Sequence, residues 1–168
     1  MAAESYRLGR VLSLDPTSRG FGYVVFEGPV TLRDWGMKLA KGDKNKQCLR
    51  RVVDLIEIYQ PEALILENVG VKVCRRCPRV CELLQAFRSI ALVRKVEVYC
   101  VSRQQVRTAF AEFGAITKHQ IATVIAARLP QLDLLLPPLR KLWMSEDVRM
   151  SIFDATAFAL TLFILRAQ

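Results

Sequence analysis

Arg10-Val11-Leu12-Ser13-Leu14-Asp15-Pro16-Thr17-Ser18-Arg19-Gly20-Phe21-Gly22-Tyr23-Val24-Val25-Phe26 is the stretch on which the reading of this chain turns. Two apolar runs of strand length, residues 10–15 and 21–26, flank a turn rich in Pro, Ser and Gly, which is a β-hairpin pattern. Glu27-Gly28-Pro29 turns the chain again, and residues 30–39 read as a third strand. The three predict an antiparallel meander, with Asp15 at the end of its first strand.

Downstream the period changes. Residues 41–46 are a polar connection, and residues 48–59 place Leu49, Val52, Val53, Leu55 and Ile56 at helical spacing before Pro61 stops them. Residues 63–66 form a short continuous apolar run, as a buried central strand does, with Glu67 at its end. A helix over 81–93, a strand over 96–101, a short helix capped by Ser102 and another over 118–129 capped by Thr117 follow. Residues 130–144 read as a loop that packs on the core. Ser145, Glu146 and Asp147 read as the start of a last helix reaching about Arg166. The order βββ-α-β-α-β-α-α-α predicts an α/β domain spanning 1–168. It has one central five-stranded mixed sheet, its first three strands antiparallel, flanked by helices.

Of 168 residues, 25 are Lys or Arg and 16 are Asp or Glu, a net charge of +9. That excess points to a polyanionic partner, above all nucleic acid. Residues 1–8 hold Glu4 and Arg7 and lack the apolar run of a signal peptide. The most apolar segment, 152–165, contains Asp154 and falls short of the about 20 residues of a membrane span. A cytoplasmic protein with no membrane attachment and five reduced cysteines is expected. His119 is the single histidine, so no Ser-His-Asp arrangement is credible. Gly20-Phe21-Gly22 sits in a hairpin, without the helix that a dinucleotide fingerprint needs.

Asp15, Glu67 and Asp154 each interrupt an apolar pattern, and an unpaired buried carboxylate costs several kcal/mol. Singly they admit plain readings: Asp15 as a turn cap, Glu67 as an ion-pair partner, Asp154 as a core hydrogen-bond acceptor. Together they would make an oxygen-rich site for Mg²⁺ or Mn²⁺ inside a basic protein.

Four segments in register resemble the RuvC-like Holliday junction resolvases of the RNase H-like superfamily. They are Val11-Leu12-Ser13-Leu14-Asp15-Pro16 with Gly20-Phe21-Gly22-Tyr23; Tyr59-Gln60-Pro61-Glu62 with Leu64-Ile65-Leu66-Glu67; Phe113-Gly114-Ala115 with Thr117-Lys118-His119-Gln120; and Asp154-Ala155-Thr156-Ala157. The resemblance implies an RNase H-like fold and a homodimer, joined through the helices around 118–129. It also implies a two-metal endonuclease acting on branched DNA. Asp15, Glu67 and Asp154 would hold the metal, and Lys118 and Arg107 would face the scissile phosphate.

The chain departs from that pattern in places. Ser151 stands where the family has a fourth metal ligand, and Asp147 is the nearest substitute. No aromatic follows Glu67 in Asn68-Val69-Gly70-Val71-Lys72, where the family stacks a ring on junction bases. Instead comes Cys74-Arg75-Arg76-Cys77-Pro78-Arg79-Val80-Cys81. Its cysteines admit a zinc reading but read better as reduced thiols, and Lys72, Arg75, Arg76 and Arg79 read as a phosphate-binding rim. Two other functions therefore stay open: a nuclease of structured RNA, as in the YqgF-like branch, and a catalytically weak nucleic-acid-binding protein.

Overall fold

A computed structural model of the chain describes residues 8–70 and 76–168. Lys72, Cys74 and Arg75 lie outside the described residues. The strands are β1 (Arg10–Pro16), β2 (Gly20–Glu27), β3 (Thr31–Leu39), β4 (Ala63–Glu67) and β5 (Glu97–Val101). The α-helices are α1 (Lys44–Tyr59), α2 (Pro78–Val93), α3 (Arg103–Ala111), α4 (Lys118–Arg128) and α5 (Met150–Ala167). The five strands form one mixed sheet in the order β3-β2-β1-β4-β5, antiparallel across β1, β2 and β3 and parallel across β1, β4 and β5. This is the α/β sheet that the sequence predicts.

The two-residue period of β1 sorts its side chains onto opposite faces. Leu12 and Leu14 join the core under α1 and α2, with Leu64, Leu66, Leu83 and Phe87. Val11 joins the core under α3, α4 and α5, with Ala63, Ile65, Phe110 and Phe158. Ser13 and Asp15 share the face of Val11 by the same alternation. Ser13 donates from Oγ to the carbonyl of Ala155 at 2.7 Å, which stitches β1 to α5. Gly22, paired with Asp15 across the hairpin, lies against Ser151 of α5, and a Cβ at Gly22 would collide with the Ser151 backbone and hydroxyl. A buried hydroxyl and a missing side chain thus set how closely α5 lies on the sheet.

Three boundaries differ from the reading above. α1 begins at Lys44 because the Asp43 carboxylate accepts from the Lys46 amide, a cap hidden in a polar run. α2 begins at Pro78, which fits a first turn because its missing N–H has no intrahelical partner there. α5 begins at Met150, not near Ser145. Asp147 uses its carboxylate on the amide and guanidinium of Arg149, which closes a turn instead of opening a helix. Within the 130–144 loop, Pro130–Leu135 forms a 3-10 helix and Leu132 is buried. α5 has 18 residues of mean hydropathy 1.5, long and apolar enough to cross a membrane, but 67% of it is buried inside this fold as the core helix.

Candidate active site

β1 and β4 run parallel with Ser13 opposite Ile65, so Asp15 and Glu67, two residues on, end side by side at the same edge of the sheet. Asp154 arrives from α5, one residue before the Ala155 carbonyl that Ser13 grips. All three carboxylates are buried.

One guanidinium joins them. Arg103 is the first residue of α3, directly after the Ser102 cap that follows β5. Its Nε donates to Glu67 Oε1 at 3.0 Å, Nη1 to Asp154 Oδ1 at 2.6 Å and Nη2 to Asp15 Oδ1 at 3.3 Å. Its other support is the Phe158 ring, 4.8 Å from the guanidinium carbon. Arg76, just before α2, donates from Nη2 to Asp15 Oδ1 and to the Pro16 carbonyl, both at 2.8 Å. The same nitrogen stands 3.2 Å from Glu67 Oε2. That approach is attractive but off the N–H direction, so Glu67 Oε2 is buried with no hydrogen bond. Lys118, the first residue of α4, donates to Asp154 Oδ2 and to Glu146 Oε1, each at 2.9 Å.

The crowding of acids is visible in proton affinity. Asp15 is pushed up to about 7, first by burial and then by the neighbouring charge of Asp154, against the pull of Arg76 and Arg103. Lys118 moves above its ordinary value: burial opposes its charge, and the Asp154 charge with the hydrogen bonds of Glu146 and Asp154 outweighs that.

The remaining sequence-derived residues divide. Asp147 borders the same cleft as Asp15 and Arg76 but is held by Arg149. Ser151 donates its hydroxyl to the Val148 carbonyl at 2.7 Å. Arg107 is exposed on α3, one turn beyond Arg103. Arg79, expected on the phosphate-binding rim, donates to the Thr17 carbonyl at 2.7 Å and to Asn45 Oδ1 at 2.9 Å, tying the hairpin turn to α1. Cys48, Cys77 and Cys100 are free thiols, and Cys81 Sγ lies 3.7 Å from the Arg76 carbonyl oxygen.

Sequence reasoning missed Arg103, the residue in contact with all three acids. A local signal existed. A cation in the first turn opposes the helix dipole, and Arg103 and Lys118 both occupy first positions with no acid in either first turn. Local rules broken in this way mark sites where something else holds the charge.

The donor set suits a hard divalent cation: three buried carboxylates, one oxygen of Glu67 without a hydrogen bond, and an Asp15 held short of full ionisation first by burial and then by its acidic neighbours. As the side chains stand, no group of three His, Cys, Asp or Glu residues among those described is arranged to ligate an ion directly, because the guanidinium of Arg103 lies between the acids.

No family model and no curated protein matches this sequence. Solved structures do match. RuvC of Thermus thermophilus aligns with a TM-score of 0.68 and 21% identity over 94% of this chain and 96% of that one. T. thermophilus RuvC in complex with a Holliday junction substrate gives 0.69 and 22%, over 95% and 96%. The yeast mitochondrial Holliday junction resolvase Ydc2 gives 0.61 and 12%, over 98% and 83%. At these identities the likeness is one of fold: the chain is built like these Holliday junction resolvases along nearly its whole length.

Proposed function

We propose that this chain is an RNase H-like endonuclease that cleaves branched DNA of the Holliday junction type with Mg²⁺ or Mn²⁺, as a homodimer. The observation that carries the reading is the meeting of Asp15, Glu67 and Asp154 at one edge of the sheet, from elements far apart in sequence. The likeness to proteins solved as resolvases, one with its junction, supports the choice of substrate.

Asp15, Glu67 and Asp154 would hold the metal, one ion or a pair, and Asp147 would join only by releasing Arg149. When bound, divalent ions supply Lewis acidity toward a phosphodiester and a hydroxide nucleophile at neutral pH. The protein's own groups do the rest. Lys118, with 42% of its side chain exposed beside Asp154, would meet a phosphate. Arg103 and Arg76 neutralise the acids, and Arg107 on the outer turn of α3 would face incoming backbone.

A second reading rests on Arg103. A guanidinium already bonded to all three acids, with Ser151 in place of a further ligand, favours a nucleic-acid-binding protein of low catalytic power.

The test is incubation with a four-way junction, a linear duplex and a structured RNA in Mg²⁺, Mn²⁺ or EDTA, with Asp15→Asn alongside. Paired metal-dependent nicks on the junction, lost by at least about 100-fold in Asp15→Asn, are expected. Cutting of RNA alone would move the substrate to RNA. Binding without metal-dependent cutting, unchanged in Asp15→Asn, would establish the second reading instead.

A further inference from the structure

Trp143 is 80% exposed, in a stretch where Leu139, Leu142 and Met144 are also exposed. The other tryptophan, Trp35, packs against the core under α5. An indole left in water beside three more apolar side chains forgoes the gain of burial, which marks a surface meant to be covered.

The surroundings say by what. Lys141 Nζ lies 5.3 Å from the Trp143 ring centre, and Arg140 precedes it. Neither Arg140 nor Lys141 has a carboxylate partner among the described residues. The acids that follow are engaged, Glu146 by Lys118 and Asp147 by Arg149. The free charge of the segment is therefore positive. An aromatic face flanked by unpaired cations matches a base flanked by phosphates, because every base offers a π-face and every nucleotide a negative charge.

Position adds to this. Pro137, Arg140, Met144 and Glu146 line one cavity of about 330 Å³ together with Lys118. His119 Nε2 lies 3.0 Å from the Pro137 carbonyl, which anchors the other end of the segment to α4. Trp143 is three residues from Glu146, a reach of at most about 10 Å, and Glu146 shares Lys118 with Asp154.

We propose that Trp143, with Arg140 and Lys141, is a base-stacking platform. It takes an unpaired base of a nucleic acid whose strand runs on past Lys118 to the carboxylates. The proposal rests on the nucleic-acid reading above and names the surface that would distinguish an opened or branched strand from an intact duplex.

The test is equilibrium binding in EDTA of a labelled four-way junction with unpaired bases at its centre, a single strand and a fully paired duplex. Trp143→Ala is expected to weaken the first two by about 5- to 150-fold, the value of stacking one base, and the duplex by less than about twofold. Trp143→Phe restores most of the loss. Tryptophan emission falls on binding in the parent protein and not in Trp143→Phe. Equal affinities in Trp143→Ala, with junction binding intact, overturn this proposal and leave the nuclease reading standing. A parent protein that binds none of the three overturns both. If Trp143→Ala turns a dimer into a monomer without changing affinity, the patch is an interface between copies and the stacking role is overturned. Because Trp143 lies outside the core, thermal unfolding of both variants should match the parent, which separates these outcomes from misfolding.

Discussion

Residue by residue, the site is a contest between buried acids and the cations that hold them. Asp15 shows the balance most directly, since Arg76 and Arg103 together do not bring its carboxyl back to the ordinary range of 3.8. Between about 4 and 7 the folded chain holds a proton at Asp15 that the unfolded chain has released. Its stability therefore falls as pH rises through that window. In chelator-treated protein, Asp15→Asn is expected to remove this slope. The variant should match the parent near pH 4 and exceed it at pH 8 by roughly 2–4 kcal/mol, read from urea midpoints. A parent and variant with parallel pH profiles would show that the acids do not strain the fold. The first-turn position of Arg103 marks it locally, but what it holds does not show among its neighbours in sequence. Its three partners lie 36, 51 and 88 positions away.

Among the elements, α5 decides whether a site exists. Its first turns carry Ser151 and Asp154, and two devices in the hairpin hold it down: the Ser13 hydroxyl on the Ala155 carbonyl and the bare Cα of Gly22 under Ser151. The Ser151 hydroxyl could turn aside, but the Ser151 carbonyl carbon and oxygen, 2.4 and 2.6 Å from where a Cβ would stand, could not. Gly22→Ala is expected to destabilise the fold by about 1–3 kcal/mol through overpacking. By lifting the start of α5, it should also lower metal-dependent cutting while leaving nucleic-acid affinity within about twofold. Denaturant unfolding and junction assays on one preparation check both halves, and an unperturbed variant would show that α5 tolerates a wider gap. The segment between Pro130–Leu135 and α5 reads in sequence as a loop packed on the core. Leu132 obeys that reading, whereas Leu139, Leu142 and Trp143 face water.

For the whole molecule, the charge of +9 surrounds a centre where acids and cations pair. An anionic polymer is attracted by the surface, while the acids are shielded from it. Affinity for a junction should fall with salt on a double-logarithmic plot with a slope of roughly −3 or steeper, and the double change Arg140→Ala, Lys141→Ala should flatten it by about 2. Affinity indifferent to salt would mean that the positive charge serves another purpose.

The order of strands and helices, the sheet they form and the three acids that break its apolar runs were determined by sequence alone. Each is written in periods of two or 3.6 residues, and a buried charge stands out against an apolar run. Local caps limited that reading at the ends of elements, as Asp43 and Asp147 show. What only the tertiary structure decided is which charges meet. Parallel pairing of β1 with β4 sets Asp15 beside Glu67, and Ser13 and Gly22 seat α5 so that Asp154 joins them. Arg103 then closes the cluster from the start of α3. Electrostatic partnership acts over a few ångströms of space regardless of chain separation, so no window of sequence contains it.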